Sequence, residues 1–538
     1  MNSIKTHAFT AAVCLALALL TFFQFPGHTW LQQDTQIYVP ILEHERQPAV
    51  LRNDLLVQQS NVAYTLYDEA TLALGAVTRL GFRDVLAIQQ VITRAFGIWG
   101  VYLMATALDL SAGAAWLLAM IVSLGAAVAG PQVLTFEYEP TPRAFALPLI
   151  VCAIGLVAHR RYLAGGIAAS CAFLYHAPTA TSFWTIFALL MIREPRKAVR
   201  GLIPFGAAVA VLAFVAHGPP LGFFERLTPL EEQLLHIRAA YVWISTWPAD
   251  VIWHYPILFV VLLAAAFRIR RIPPELRIYV IGLPLIGLAM MPFSWLALDH
   301  AGWAFMPQFQ PLRKLLFVVL MAQFLTAAAG AVAVQAGRWL EAAGWFSVAY
   351  LIPMPLELRP FLVAALLGTL AAMAVRRAPV LGLAAFFAIP ALAGVANYPH
   401  LHTPQLDQLS AWARASTPRD AVFLFPDAGR GLQPGIFRAE AARAIYVDWK
   451  SGGQINYLRG FAAEWWSRWQ QTVGAGFSPS DLPRYDALGV QYIVLQPQNR
   501  LPRPAQFENS SYVVYRLSGG LQPAEGFRPP GGLKSAAE

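Results

Sequence analysis

Apolar stretches of about 16 to 20 residues recur along the first 400 positions, separated by short charged connections. Each is close to the length a helix needs to cross a hydrocarbon layer about 30 Å thick. The pattern predicts thirteen spans, near 8–25, 90–108, 113–130, 143–158, 162–176, 178–192, 200–216, 251–267, 277–292, 314–332, 344–356, 360–375 and 380–396. With the N-terminus cytoplasmic, the basic connections His159-Arg160-Arg161, Arg193 to Arg200, Arg268 to Arg277 and Arg376-Arg377 fall on the inner side, as the positive-inside rule expects. An odd number of spans leaves everything after Tyr398 outside, periplasmic in a Gram-negative cell. Span 344–356 is short and holds Pro353 and Pro355, and dropping it would move the C-terminal part to the other side. Ala8 to Phe23 reads as a retained first helix, since no small-residue cleavage site precedes Asp34.

After Tyr398 the pattern becomes that of a soluble domain, with 14 Lys+Arg and 11 Asp+Glu between His400 and Glu538. Residues 406–416 predict an amphipathic helix, and 421–426, 444–450, 490–496 and 511–517 predict strands. The expected organisation is a transmembrane domain over 1–398, an extracytoplasmic α/β domain over 399–518, and a Gly- and Pro-rich tail over 519–538 expected to be disordered.

Composition agrees with the pattern: 57% of the 538 residues are hydrophobic and 13% charged, against about 25% charged in a soluble domain. A water-soluble enzyme is excluded. For the net charge of +9, position matters more than the total: the basic inner connections follow the positive-inside rule of a protein in a lipid bilayer, which argues against nucleic acid as partner. Cys14, Cys152 and Cys171 lie in apolar runs without CxxC spacing and predict neither disulfides nor a zinc site. The chain lacks GxxxxGK[ST], HExxH, GxSxG and a GxGxxG after a strand, so the energy for any transfer must come with the substrate.

Four long external loops, 26–87, 131–142, 217–250 and 295–313, hold the candidate chemistry. Asp34 opens a short segment beyond the first helix, with Tyr38 four residues on. It is either a general base at the membrane surface or the N-cap of an interfacial helix. Glu137 and Glu139 precede Arg143 in PQVLTFEYEPTP, either as an acidic pair facing one way or as a solvated turn. Arg313 and Lys314 start the tenth span, beside Gln308 and Gln310, as phosphate ligands or as snorkelling cations. His176 stands next to Pro178, as a functional group or a backbone partner. His236 and Arg238 on the third loop either meet a pyrophosphate or form the polar face of a surface helix. Asp448, Lys450 and the cluster Trp465, Trp466 and Trp469 offer an acceptor-binding or membrane-docking face, or the small domain's own core.

Asp34 and Tyr38 in a long first external loop, about a dozen spans and an external soluble domain together resemble the C-type glycosyltransferase superfamily (GT-C). RNDLL (52–56), EYEPTPRAFALPL (137–149), FLYHAPTA (173–180), FQPLRKLL (309–316) and FRAEAARAIYVDWK (437–450) resemble, more narrowly, a bacterial subfamily of GT-C-like membrane proteins. The resemblance implies an α-helical polytopic membrane protein of about thirteen transmembrane helices with a small soluble α/β C-terminal domain, in the inner membrane. It implies an inverting transfer of a sugar from a polyprenyl-phosphate donor to a glycan, lipid or protein acceptor at the external face. Asp34 would be the catalytic base, Glu137 and Glu139 would orient the acceptor or a metal, and Arg143, Arg313 and Lys314 would hold the donor phosphate. Tyr38, Asp54, His176, His236, Arg238 and Gln310 are further candidates. Thr35 stands where many members carry a second acid, and a divalent cation, Mg or Mn, is the one cofactor left open. The alternatives are a transporter or flippase of a lipid-linked substrate, and a non-catalytic scaffold with the same fold.

Overall fold

The computed structural model describes residues 3–23, 27–58, 65–215, 225–352, 362–375 and 401–517. The chain forms two compact units, one of residues 1–38, 61–399 and 453–459, the other of residues 39–60, 400–452 and 460–538. The boundary drawn near 398 takes no account of the two short stretches, 39–60 and 453–459, that pack with the opposite unit.

The first unit is a bundle of apolar helices. Ala249–Arg268, Pro274–His300 and Met306–Gln335 are long and apolar enough to cross a membrane, with shorter apolar helices including His7–Phe23, Pro142–Ala158 and Tyr162–Tyr175 beside them. The count of thirteen spans rests in part on 380–396, outside the described residues. Leu316–Gln335 is apolar on every side and buried along nearly its whole length, as a central helix must be. Gln323, fully buried within it, donates to the Ile121 carbonyl at 2.8 Å. Phe82–Thr106 packs tightly on Pro142–Ala158 because Gly100 faces Cys152, where a Cβ would lie 2.5 Å from its backbone.

Two predicted spans differ most in their limits. The span drawn at 90–108 begins at Phe82, a turn and more earlier, and Phe82, Val85 and Leu86 are buried. The span drawn at 113–130 ends at Ser123, and Ala127–Val128 then pairs antiparallel with Val133–Leu134. Gly125 and Gly130 supply the left-handed turns at φ +72° and +74° that an apolar count cannot register.

Three of the bundle's connections meet at one end. Arg160 pairs with the buried Glu275 at 2.6 Å, Arg268 with Glu341 at 2.6 Å and Arg338 with Glu341 at 3.2 Å. The connections at 159–161, 268–273 and 336–338 therefore share an end, the arrangement that their basic composition predicts.

The second unit holds a five-stranded sheet in the order Ala444–Ile445, Val422–Leu424, Tyr492–Leu495, Val513–Arg516, Phe507–Glu508. The first three strands run parallel, with helix Gln433–Ala441 crossing from Val422–Leu424 to its neighbour Ala444–Ile445, and the last two are antiparallel to their neighbours. Arg438, 1% exposed, is ion-paired with Asp54 at 2.7 Å and with Asp448. Asp54 also accepts from the Ile445 and Leu56 N–H groups at 2.9 Å. Burial alone would push the Asp448 carboxyl up, but Arg438 and Ser451 outweigh it and hold it below the usual carboxylate range. Trp465 is fully buried and donates to the Asp448 carbonyl at 2.9 Å, and Trp469 stacks on it, so both belong to the core.

Candidate functional site

In the first long loop, helix Thr35–Arg46 begins immediately after Asp34. The opening of that helix is held from the second loop. Glu139, 3% exposed, accepts from the N–H groups of Gln33 at 2.6 Å and Asp34 at 2.7 Å, and from the Thr35 hydroxyl at 2.6 Å. A carboxylate over a helix N-terminus meets both its unpaired donors and its positive dipole end. The N–H groups of Gln36, Ile37 and Tyr38 bond in turn to the carbonyls of Gln33 and Asp34. Every N–H from Gln33 to Tyr38 thus has an acceptor, and the helix start does not need the Asp34 side chain as a cap. Leu31, at φ +53°, turns the chain into this helix, with its N–H donating to the Thr35 hydroxyl at 3.0 Å. A left-handed leucine costs about 1–2 kcal/mol, so the turn is imposed by its surroundings.

Glu137 is engaged differently. Its Oε1 accepts from Arg143 Nε at 2.9 Å and the terminal guanidinium nitrogen at 2.7 Å, with both side chains about nine-tenths buried. Its carbonyl accepts from Arg94 at 2.7 Å and Gln90 at 3.0 Å. Arg94 thereby serves backbone carbonyls, Gly27 included, deep in helix Phe82–Thr106.

The fourth loop brings the remaining cations. Met306–Phe309 is followed by Gln310 at φ +47° and a tight turn, Pro311–Leu315, carrying Arg313 and Lys314. Gly287 lets helix Pro274–Ser294 approach this turn, since a Cβ there would stand 2.8 Å from the Lys314 carbonyl. Arg313 lies over the Tyr241 ring at 5.7 Å, and the Lys314 ammonium is 4.3 Å from the centre of the Phe309 ring.

These parts converge. Burial holds the Tyr38 phenol well above its ordinary pKa, with Tyr457 and Asp34 reinforcing that shift and Arg143 and Arg313 opposing it. Burial raises Tyr457 too, with Arg313, Asp34 and Arg143 again among the charges acting on it. Arg143 and Arg313 also act on the His176 ring. Asp34, Tyr38, Arg143, His176, Arg313 and Tyr457 thus share one electrostatic neighbourhood, although they come from five separate stretches of chain.

Other candidates lie apart or serve the backbone. Asp54 belongs to the second unit, where Arg438 and peptide N–H groups occupy it, and is not part of this constellation. His176 caps helix Ala177–Arg193, its Nδ1 accepting from the Thr179 N–H at 3.3 Å. His236 stacks on Trp243 at 4.1 Å, on a helix whose start has a reciprocal Thr228–Glu231 cap. Its neighbour Arg238 stands at the end of the same helix. Tyr457 was missed by sequence reading because it lies in soluble-looking sequence.

A divalent cation needs several carboxylate oxygens converging on one point. Glu137 is taken up by a guanidinium and Glu139 by peptide N–H groups, so the residues present do not form such a set, and no chemical step is assigned to a metal. Among the described residues, metal-ligand spacing occurs instead at His402, Asp407 and Glu440 of the second unit, where His402 and Glu440 already pair at 3.6 Å.

Comparison with known proteins gives partial likenesses. Residues 405–472 match a family model described as a domain of unknown function (DUF6798). Comparison with the curated proteins finds no match. Among solved structures, the chain is similar to the arabinofuranosyltransferase AftD from Mycobacteria, at 14% identity and TM-score 0.46, over 93% of this chain and 35% of that one. It spans about a third of AftD's length. It is also similar to ArnT from Cupriavidus metallidurans in the apo state, at 13% identity and TM-score 0.45, over 97% of this chain and 100% of that one.

Proposed function

We propose that this protein is a membrane glycosyltransferase that moves a sugar from a polyprenyl-phosphate donor to an acceptor hydroxyl at the external face of the membrane. The observation that carries the reading is the gathering of Asp34, Arg143 and Arg313 around Tyr38, with Glu139 holding the Asp34 backbone in place. In this reading the Asp34 carboxylate takes the acceptor's hydroxyl proton. The acceptor oxygen then attacks the anomeric carbon from the face opposite the phosphate, and the C–O bond to the phosphate breaks with inversion. The electron pair leaves on the phosphate oxygen, where a fixed cation in a water-poor site stabilises it.

In the same reading the other roles divide by their partners. Arg143 shares its charge with Glu137, which leaves Arg313 as the principal phosphate cation and Arg143 as a secondary one. Lys314, stacked on Phe309, supplies further positive field. Glu139 is a positioning residue for Asp34. The test is a screen of purified protein in lipid vesicles against radiolabelled sugars carried on undecaprenyl phosphate. Transfer of label to a glycan, lipid or protein acceptor is expected with at least one donor. Vectorial movement of the intact lipid without transfer would favour a flippase instead.

A further inference from the structure

Residues 453–459 come from the C-terminal part of the sequence yet pack within the first unit, and they bring a phenol and an amide beside the Arg313 turn. Gln310 Nε2 donates to the Tyr457 hydroxyl at 3.3 Å and Gln308 Nε2 to the Tyr457 carbonyl at 3.3 Å. Asn456 Nδ2 donates to the Tyr241 hydroxyl at 3.1 Å, and the Tyr241 ring lies under Arg313.

Three other polar atoms of these side chains are unspent. Gln310 Oε1, Asn456 Oδ1 and Arg313 Nε are buried without a hydrogen-bond partner among the described residues. Gln310 is 6% and Asn456 5% exposed, so water does not readily serve them. Gln310 is also held at φ +47°, a backbone state that glutamine seldom adopts and that a functional constraint explains. Two neutral amide acceptors, one guanidinium donor and two phenol rings match a ring that carries several hydroxyls and apolar C–H faces. With Arg313 assigned to the phosphate and Asp34 to the acceptor, the groups left over, Tyr241, Gln310, Asn456 and Tyr457, are neutral and match an uncharged sugar.

We infer that Tyr241, Gln310, Asn456 and Tyr457 form the subsite for an uncharged donor sugar, next to the phosphate held by Arg313. This rests on the donor assigned under the proposed function. It adds that a stretch of the C-terminal sequence selects the sugar.

The test is equilibrium binding to the full-length protein in detergent micelles. The probes are farnesyl phosphate and its glucose, galactose and arabinose conjugates. The wild type is expected to bind at least one sugar conjugate about tenfold or more tightly than bare farnesyl phosphate. Tyr457→Phe removes the hydroxyl with little change of shape. Gln310→Asn keeps a residue that tolerates the left-handed backbone but withdraws the amide. Each should cut that ratio by about 3- to 10-fold, the worth of one lost hydrogen bond, and leave bare farnesyl phosphate binding unchanged. Arg313→Ala should weaken bare and sugar-bearing lipids alike. An unchanged ratio in both Tyr457→Phe and Gln310→Asn overturns the subsite, as does a wild type that binds every conjugate no more tightly than the bare lipid. Loss of bare farnesyl phosphate binding in Tyr457→Phe reveals a structural role and also overturns it. Failure of the wild type to bind any of the four lipids removes the donor reading itself, and the subsite with it.

Discussion

Replacing Glu139 by Gln tests whether the second loop holds Asp34 in place. The buried Glu139 carboxylate accepts two peptide N–H groups and one hydroxyl at 2.6–2.7 Å, with a longer contact to the Thr35 N–H at 3.4 Å. Hydrogen bonds to a charged group contribute roughly 1.5–3 kcal/mol each, against about 1 kcal/mol for neutral ones. A glutamine keeps one oxygen and turns its NH2 toward donors that cannot accept. Two bonds therefore fall to neutral strength and about one buried donor is stranded, for a local loss of about 3–5 kcal/mol. The lower figure corresponds to amide hydrogen exchange faster by about 10²-fold in peptides covering 31–46, because each 1.4 kcal/mol is a factor of ten. Transfer activity should fall by about 10²-fold as Asp34 loses its position. Asp34→Asn is the control: it leaves the same three amides bonded to Glu139, so their exchange should stay at the wild-type rate. Exchange at 33–35 within twofold of wild type in Glu139→Gln would show that Glu139 does not hold this helix start, whatever happens to activity.

Other consequences concern both units. Arg438→Met strands Asp54 and Asp448 in the core of the second unit and should cost about 3–5 kcal/mol, read as a lower urea midpoint by fluorescence of the buried Trp465 and Trp469; an unshifted midpoint contradicts the pairing. Because the folded protein holds Asp448 below the usual carboxylate range, its contribution is fully present above the unfolded value of about 4 and is lost as pH falls through the lower folded value. Melting temperatures between about pH 6 and pH 3 should accordingly fall more steeply in the wild type than in Asp448→Asn, and parallel curves would count against the assignment. Single cysteines at Arg160 and Arg338, in a Cys171→Ser background, should label from the same side of sealed vesicles with an impermeant maleimide, and one at the exposed Gln33 from the other. Labelling of all three from one side would overturn the topology.

The helices were legible because apolar runs report burial directly. Pro142–Ala158, Tyr162–Tyr175 and Leu316–Gln335 lie within a few residues of the predicted spans. The limits failed where tertiary contacts decide them, as at Phe82, whose burial extends a helix past its apolar stretch, and at the 127–134 hairpin. In the second unit the four predicted strands all form, while Phe507–Glu508, two residues long, carries too little pattern to see.

The candidate site was legible as residue types and not as roles. Charge in an otherwise apolar chain singled out Asp34, Glu139 and Arg313. That Glu139 caps a helix about a hundred residues earlier depends on contacts that no local motif encodes. Asp54 became a candidate because RNDLL resembles a segment of the family, yet its partner is Arg438, nearly 400 residues on. Tyr457 escaped notice for the converse reason, since a seven-residue stretch from soluble-looking sequence packs with the membrane unit.

The role of Asp34 as the base of a sugar transfer from a lipid phosphate can be measured by comparing purified wild type and Asp34→Asn in vesicles, with label transfer from the undecaprenyl-phosphate sugars to an acceptor followed beside thermal stability. Transfer is expected from the wild type, with a fall of about 10²- to 10⁴-fold in Asp34→Asn at unchanged melting temperature, the range expected for removal of a general base. Transfer by Asp34→Asn at the wild-type rate would contradict that role.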